Sequence, residues 1–136
     1  MRRSSVVILV VALLTVFAVA VMLSAQEKAA AKSETITGTL VDLRCYAAGG
    51  YLTNDHGDMK ACGSMCATGG LPVGLVDANK KVHFLAVPAP GFASYVGQEI
   101  RFTGMHGKHA DVFIPEKMEI KKEGKWVEEK LPKTMM

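Results

Sequence analysis

The stretch V-G-Q-E-I-R-F-T-G-M-H-G-K-H-A-D-V-F-I-P-E-K-M-E-I, residues 96–120, decides the fold. Its first half, residues 99–105, alternates polar and apolar side chains, which predicts a strand with one buried face. Residues 105–111 predict a turn or a short loop. Residues 112–120 predict a second strand, in which Pro115 indicates a sheet edge or a bulge because proline has no N–H to donate.

Three segments upstream also predict strands. The run E-T-I-T-G-T-L-V-D from Glu34 is rich in β-branched residues, and its interior Gly38 suggests a bulge or a bend. Residues 72–77 and 82–87 flank a four-residue polar turn and predict a hairpin. Five short strands with one interposed helix make a mainly β, five-stranded, half-open barrel the most economical architecture.

Residues 96–120 resemble the last two strands of an OB-fold, in which a V-G-x-x-[VI]-x-[FV]-x-G strand precedes a loop and an [IV]-x-[PV]-x-x-[IM] strand. With T-I-T-G-T-L-V-D as the first strand, residues 35–121 are similar to small exported bacterial proteins of OB-like type. The resemblance implies an architecture and no activity. The chain departs from the usual pattern in one respect, because its longest insert follows the first strand instead of the third.

Four segments of different composition divide the chain. Residues 1–25 contain two arginines followed by a long apolar run, the pattern of an export signal or of an uncleaved membrane anchor. Residues 26–34 predict a linker, residues 35–130 the barrel domain and residues 131–136 a loose tail. We therefore expect a periplasmic or extracellular protein, with membrane contact only through an uncleaved N-terminal segment.

The charge balance argues against nucleic acid as a partner. The chain has 16 Lys and Arg against 13 Asp and Glu. Removing residues 1–25 takes away Arg2 and Arg3, which leaves 14 basic against 13 acidic residues. A domain with so small a net charge has no strong field to attract polyanions.

All three cysteines fall within the 22 residues of the stretch C-Y-A-A-G-G-Y-L-T-N-D-H-G-D-M-K-A-C-G-S-M-C, residues 45–66. Asp58 is suited to cap a short helix over residues 59–68. On that helix Cys62 and Cys66 share one face, with Cβ atoms about 5–6 Å apart. This separation disfavours a disulfide, whose Cβ atoms lie about 3.5–4.5 Å apart, and suits two thiolates that bind one metal ion.

Two further residues complete a candidate ligand set. Cys45 precedes the helix and His56 lies in the turn before it, so the four side chains predict a Cys3His site for zinc or copper. Thioether and further imidazole ligands would favour copper, and the secondary candidates are Met65, His106 and His109. The C-x3-C pair with a distant histidine also resembles, locally, the copper sites of cytochrome-oxidase assembly proteins, although Ala67 stands where they have proline.

A second interpretation requires no metal. Outside the cytoplasm thiols tend to oxidise, and a disulfide from Cys45 to Cys62 or Cys66 would staple the segment to the barrel and leave one cysteine free. The chain would then be a binding module that docks another envelope protein. The acids Asp42, Asp55 and Asp58 could assist a metal, but isolated acids near turns are mostly caps.

Enzyme motifs are absent from the sequence. It contains no C-x-x-C, no recognisable Ser/His/Asp set and no phosphate-binding loop. We therefore expect a non-enzymatic module whose partner is a metal ion.

Overall fold

The computed structural model describes residues 33–132, which form a six-stranded antiparallel sheet with short helices. The strands are β1 (Glu34–Asp42), β2 (Val73–Val76), β3 (Val82–Phe84), β4 (Glu99–His106), β5 (Phe113–Lys122) and β6 (Lys125–Glu129). The helices are α1 (Leu43–Gly49), α2 (Cys62–Thr68) and α3 (Ala89–Phe92), followed by a 3₁₀ turn at Ala93–Tyr95. None of the helices in this described part is long and apolar enough to cross a bilayer. The predicted signal or anchor, residues 1–25, lies outside the described residues.

The strands follow the order β3-β2-β1-β4-β5-β6, and neighbouring strands are antiparallel. The sheet is not closed, because β3 and β6 are its two edges. A single parallel bridge joins Leu85, just after β3, to Phe113 at the start of β5. There the Ala86 N–H donates to the Phe113 carbonyl at 2.9 Å. One bridge brings the two strands together at a point without making a continuous ladder.

The predicted mainly β fold is confirmed, whereas the predicted five-stranded barrel is not. The additional strand is β6, which pairs with β5 along five residues. Glu123 and Gly124 form the two-residue connection, both with positive φ, 49° and 79°. This conformation is typical of tight hairpin turns, whose twist matches that of the flanking strands.

Strand β4 shows how the sheet forms its core. Ile100 and Phe102 are fully buried, as the alternation of polar and apolar residues predicted. Phe102 pairs across the sheet with Ile36 of β1 and Met118 of β5, which are also buried. The short helices cover this face of the sheet with buried apolar residues: Ala67, Ala89, Phe92, Ala93 and Val96.

Pro115 lies at a β-bulge, one of the two positions that its missing N–H predicted. Thr103 pairs with Lys117 and Gly104 with Pro115, so β5 has one extra residue at this point. A Cβ at Gly104 would collide with the Ile114 carbonyl. Glycine therefore allows β4 and β5 to approach closely at the bulge.

The segment between β1 and β2, residues 43–72, is called the insert below. It leaves and rejoins the sheet at one place, because Asp42 at the end of β1 pairs with Val73 at the start of β2. The prediction of one helix over residues 59–68 is corrected to two helices, α1 and a shorter α2. Helix α2 begins late because His56 and Met59 close a turn and Ala61 takes a left-handed φ of 52°.

Candidate metal centre

Three thiols converge where the two helices of the insert meet. Cys45 is the third residue of α1, and Cys62 and Cys66 lie one turn apart on α2. Their Sγ atoms lie 4.1–4.3 Å from one another. Cys45 is buried, and the two α2 cysteines are half-buried. The fold thus brings together three side chains that are up to 21 positions apart in the sequence.

These distances do not support the disulfide that was considered from the sequence. The sulfur atoms of a disulfide lie about 2.05 Å apart, roughly half the separation found for any pair here. All three cysteines are free. On α2 the four-residue spacing holds Cys62 and Cys66 one turn apart, as helix geometry requires.

A second group of ligand atoms adjoins the first through Cys45. Ligand atoms of Asp42, Cys45 and His56 all lie within 4.8 Å of one another. Asp42 and His56 are only 2% and 4% exposed. The predicted Cys3His set therefore does not form one group at this distance, because His56 lies beside Cys45 and Asp42. Cys45 is the member that the two groups share.

The imidazole of His56 is held from two sides. Its Nε2 lies 2.9 Å from the carbonyl oxygen of Thr53, and since a carbonyl only accepts, Nε2 is the protonated nitrogen. The ring stacks on Tyr51, with ring centroids 4.6 Å apart. In the neutral ring Nδ1 then carries the lone pair, and this nitrogen is buried with no hydrogen-bond partner among residues 33–132. Metal-binding histidines typically donate their other ring N–H to a carbonyl or a carboxylate in this way.

Asp42 combines a structural role with a position in the cluster. Its Oδ1 accepts a hydrogen bond from the Cys45 N–H at 3.2 Å and caps α1. Its Oδ2 is buried and has no hydrogen-bond partner within the described residues. Buried polar atoms are nearly always paired, so this oxygen is available to a cation. The folded chain also places a carboxylate oxygen of Asp42 within 4.8 Å of the Cys45 sulfur and a ring nitrogen of His56.

The surroundings of two thiols raise their pKa. Burial is the main cause of the raised pKa of Cys45, and the neighbouring carboxylate of Asp42 adds to the effect. Burial also raises the pKa of Cys66, and the charge of Asp42 adds to the effect. Both thiols are therefore protonated at neutral pH in the metal-free protein, and an ion that binds them must displace protons.

The loop before α2 fixes the direction of the helix. The Asn54 side-chain oxygen accepts hydrogen bonds from the N–H and the hydroxyl of Ser64, both at 2.8 Å. The Asn54 carbonyl accepts from the Gly63 N–H at 3.0 Å, and Asp55 Oδ1 accepts from the Ala61 N–H at 2.8 Å. These bonds satisfy donors at the start of the helix, which otherwise lack partners, and they determine where α2 places its cysteines.

The secondary candidates are not part of either group. Met65 lies on α2 but is 61% exposed. His106 lies 3.6 Å from a carboxylate oxygen of Glu34, at the opposite end of β1 from Asp42. Since a strand rises about 3.3 Å per residue, the two ends of this nine-residue strand are on the order of 25 Å apart. His109 is exposed in the loop that follows β4.

The cluster as a whole offers three soft thiols and one borderline imidazole, together with one hard carboxylate. Such donors bind zinc and copper in preference to magnesium or calcium. Comparisons with protein-family models, with curated proteins and with solved structures found no match.

Proposed function

We propose that the chain is an exported, non-enzymatic module that binds a soft metal ion, zinc or copper, through Cys45, Cys62 and Cys66. One observation carries this proposal: three free thiols on two separate helices lie 4.1–4.3 Å apart. Thiolates are the preferred ligands of both ions.

The spacing of the sulfur atoms fits thiolate coordination. The centre of a triangle with sides of about 4.2 Å lies about 2.4 Å from each corner, close to the Zn–S distance of about 2.3 Å. A tetrahedral ion with bonds of that length places its sulfur ligands about 3.8 Å apart. Either geometry requires the cysteines to move by only a few tenths of an ångström.

The donors leave two ions as candidates. Cu(I) is selected by thiolates, and three of them suffice for it. Zinc takes four ligands and would add His56 or a water molecule to the three thiolates. Cys62 and Cys66 are half-buried, so an ion bound by them would be accessible to a ligand from outside or to another protein that receives it.

Two further parts of the proposal concern architecture and location. The order β3-β2-β1-β4-β5, α3 between β3 and β4, and the bridge from Leu85 to Phe113 support an OB-like, half-open barrel to which β6 is added. The two arginines and the apolar run in residues 1–25 support export, with cleavage or with the segment retained as an anchor.

Metal analysis of the purified protein tests the proposal. The full chain is expressed with its N-terminal segment, purified without chelator, and analysed for zinc and copper together with a count of free thiols. Wild type is expected to retain at least one equivalent of one of these metals, and Cys62→Ser to lose the thiolate-bound ion. Met65→Leu changes a sulfur side chain on the same helix without removing a thiol, and should keep the wild-type content. An unchanged metal content in Cys62→Ser would refute the proposal.

A further inference from the structure

Two ligand groups meet at one sulfur atom. The first consists of the three thiols, and the second of Asp42, Cys45 and His56, with all ligand atoms in each group within 4.8 Å of one another. The two groups are formed by different parts of the chain, because the first uses α2 and the second uses the end of β1 and the loop after α1. Cys45 Sγ belongs to both.

The second group contains two buried polar atoms that the fold does not satisfy. Asp42 Oδ2 and His56 Nδ1 are both buried and have no hydrogen-bond partner in residues 33–132. The two atoms are not hydrogen-bonded to each other, and the ring nitrogen that meets the Thr53 carbonyl, at 2.9 Å, is Nε2. Asp42 and His56 each offer a ligand atom within 4.8 Å of the Cys45 sulfur, and buried unpaired ligand atoms beside a thiol are an arrangement that a cation satisfies.

The charges also favour a second cation. Three thiolates and one carboxylate carry four negative charges, and one divalent ion neutralises only two of them. Asp42 takes part in none of the ion pairs found among the described residues. Uncompensated charge in a buried site is unfavourable. One divalent ion at the three thiolates leaves two negative charges unneutralised, and a second divalent ion would neutralise them.

We propose that the cluster is a two-metal site in which the Cys45 thiolate bridges the ions. The first ion is bound by Cys45, Cys62 and Cys66. The second, a divalent borderline ion such as Zn²⁺, is bound by Cys45 Sγ, Asp42 Oδ2 and His56 Nδ1. This inference rests on the proposed function, because the bridge presupposes an ion at the three thiolates.

Counting bound ions tests the two-metal site. The reduced, metal-free full chain is titrated with Zn²⁺ under exclusion of oxygen, and native mass spectrometry gives the number of ions per chain. Wild type is expected to bind two. His56→Ala and Asp42→Asn are each expected to bind one, at the three thiols. Asp42→Asn retains an oxygen that can cap α1, so its metal-free melting temperature should stay close to that of wild type.

The controls separate this site from other positions that zinc could occupy. His106 lies near two carboxylates, Glu34 and Asp111, so His106→Ala tests for binding there and is expected to retain two ions. A count that falls in His106→Ala, or that stays at two in both His56→Ala and Asp42→Asn, would overturn the inference. So would loss of all zinc in His56→Ala, because His56 would then belong to the first site.

The same titration distinguishes failure of this inference from failure of the proposed function. Wild type that binds one ion, lost in Cys62→Ser, overturns the bridge and leaves the thiolate site intact. Wild type that binds no zinc overturns the two-metal site, and wild type that also binds no Cu(I) in a parallel titration overturns the proposed function as well.

Discussion

Cys45 and Cys66 have raised pKa values, and this has a consequence for stability. Burial favours the neutral thiol in the folded state, so the folded chain holds these protons at a pH where the unfolded chain has released them. Thiol pKa values in unfolded chains are about 8.5. The stabilising contribution is therefore complete below about pH 8.5 and is lost as the pH rises through the folded-state pKa values.

We expect the metal-free, reduced protein to lose stability as the pH rises from about 8 to 10. The measurement is the free energy of unfolding by urea at several pH values in the presence of a reductant. Cys66→Ser removes one of the two thiols, so its stability should decline less steeply over this range. An equally steep decline in the variant would contradict the role of the thiol.

At the scale of single residues, the sequence predicted the positions of the cysteines better than the positions of the side chains around them. The four-residue spacing of Cys62 and Cys66 alone places them on one face of a helix, and the structure shows them there. His56 was predicted as a fourth ligand beside the three thiols, and in the structure its ligand atom lies within 4.8 Å of those of Cys45 and Asp42. Its position depends on the stacking with Tyr51 and on the carbonyl of Thr53, and sequence spacing contains neither contact.

At the scale of elements, the packing of α2 against the chain after α3 depends on a glycine. A Cβ at Gly63 would lie 2.6 Å from Val96 Cγ1, whereas one at Gly69 would meet only backbone oxygens at 3.4–3.5 Å. Gly63→Ala should therefore destabilise the protein by about 1–3 kcal/mol through overpacking. Gly69→Ala, at a negative φ of −72°, should be neutral or slightly stabilising.

Thermal unfolding of both variants checks this prediction. The expected order of melting temperatures is Gly63→Ala below wild type, and Gly69→Ala at or above it. The reverse order would mean that α2 can move away from Val96 without loss.

Asn54 joins the loop to α2 and should affect metal binding without being a ligand. Asn54→Ala removes the acceptor for two hydrogen bonds of Ser64. Leaving such donors unpaired costs about 1–3 kcal/mol. We expect lower stability and weaker zinc binding, because α2 no longer holds its cysteines in one orientation.

The control for Asn54→Ala is Asn79→Ala, which changes an exposed asparagine in the turn between β2 and β3. Both variants are compared with wild type by thermal unfolding and by competition for zinc with a chelating dye. Equal zinc affinity in Asn54→Ala and wild type would show that the loop does not orient the site.

Some elements were not predicted from the sequence, and in each case there is a physical reason. Strand β6 is short, and its two apolar residues, Trp126 and Val127, are adjacent in the sequence, so it lacks the alternation that reveals a strand. Helix α1 depends on the Asp42 cap and ends at Gly50 in a left-handed conformation, within a seven-residue run of little periodicity. The start of α2 depends on the φ of Ala61, which residue type does not indicate.

At the scale of the whole molecule, metal binding should stabilise the fold. Ala67, next to Cys66, is fully buried in the core, so the site and the core share α2. A ligand at 100 times its Kd adds about 2.7 kcal/mol to the free energy of unfolding. For a domain of about 100 residues this corresponds to a rise in melting temperature on the order of 10 °C.

Differential scanning calorimetry with and without zinc measures this rise. Cys62→Ser serves as the control and should show little of it. A melting temperature of wild type that is unaffected by saturating zinc would mean that the ion does not bind the folded state more tightly than the unfolded state.

The sequence predicted the overall scaffold in outline because the alternation in β1 and β4 is strong. It did not predict how far the sheet closes, because this depends on a contact between Leu85 and Phe113, residues 28 positions apart. Such pairings between distant segments are set by the packing of the whole core, and local patterns do not contain them.

The pairing of Asp42 with Val73 bears on how such a protein can diversify. The insert begins after Asp42 and ends before Val73, and these two residues pair across neighbouring strands. Its length and composition can therefore change without altering the register of any other strand. Loops with neighbouring ends tolerate insertion and exchange well. Descendants of this chain, or designed versions of it, can acquire a different set of ligands by replacing residues 43–72, provided that a small residue still occupies the core position of Ala67.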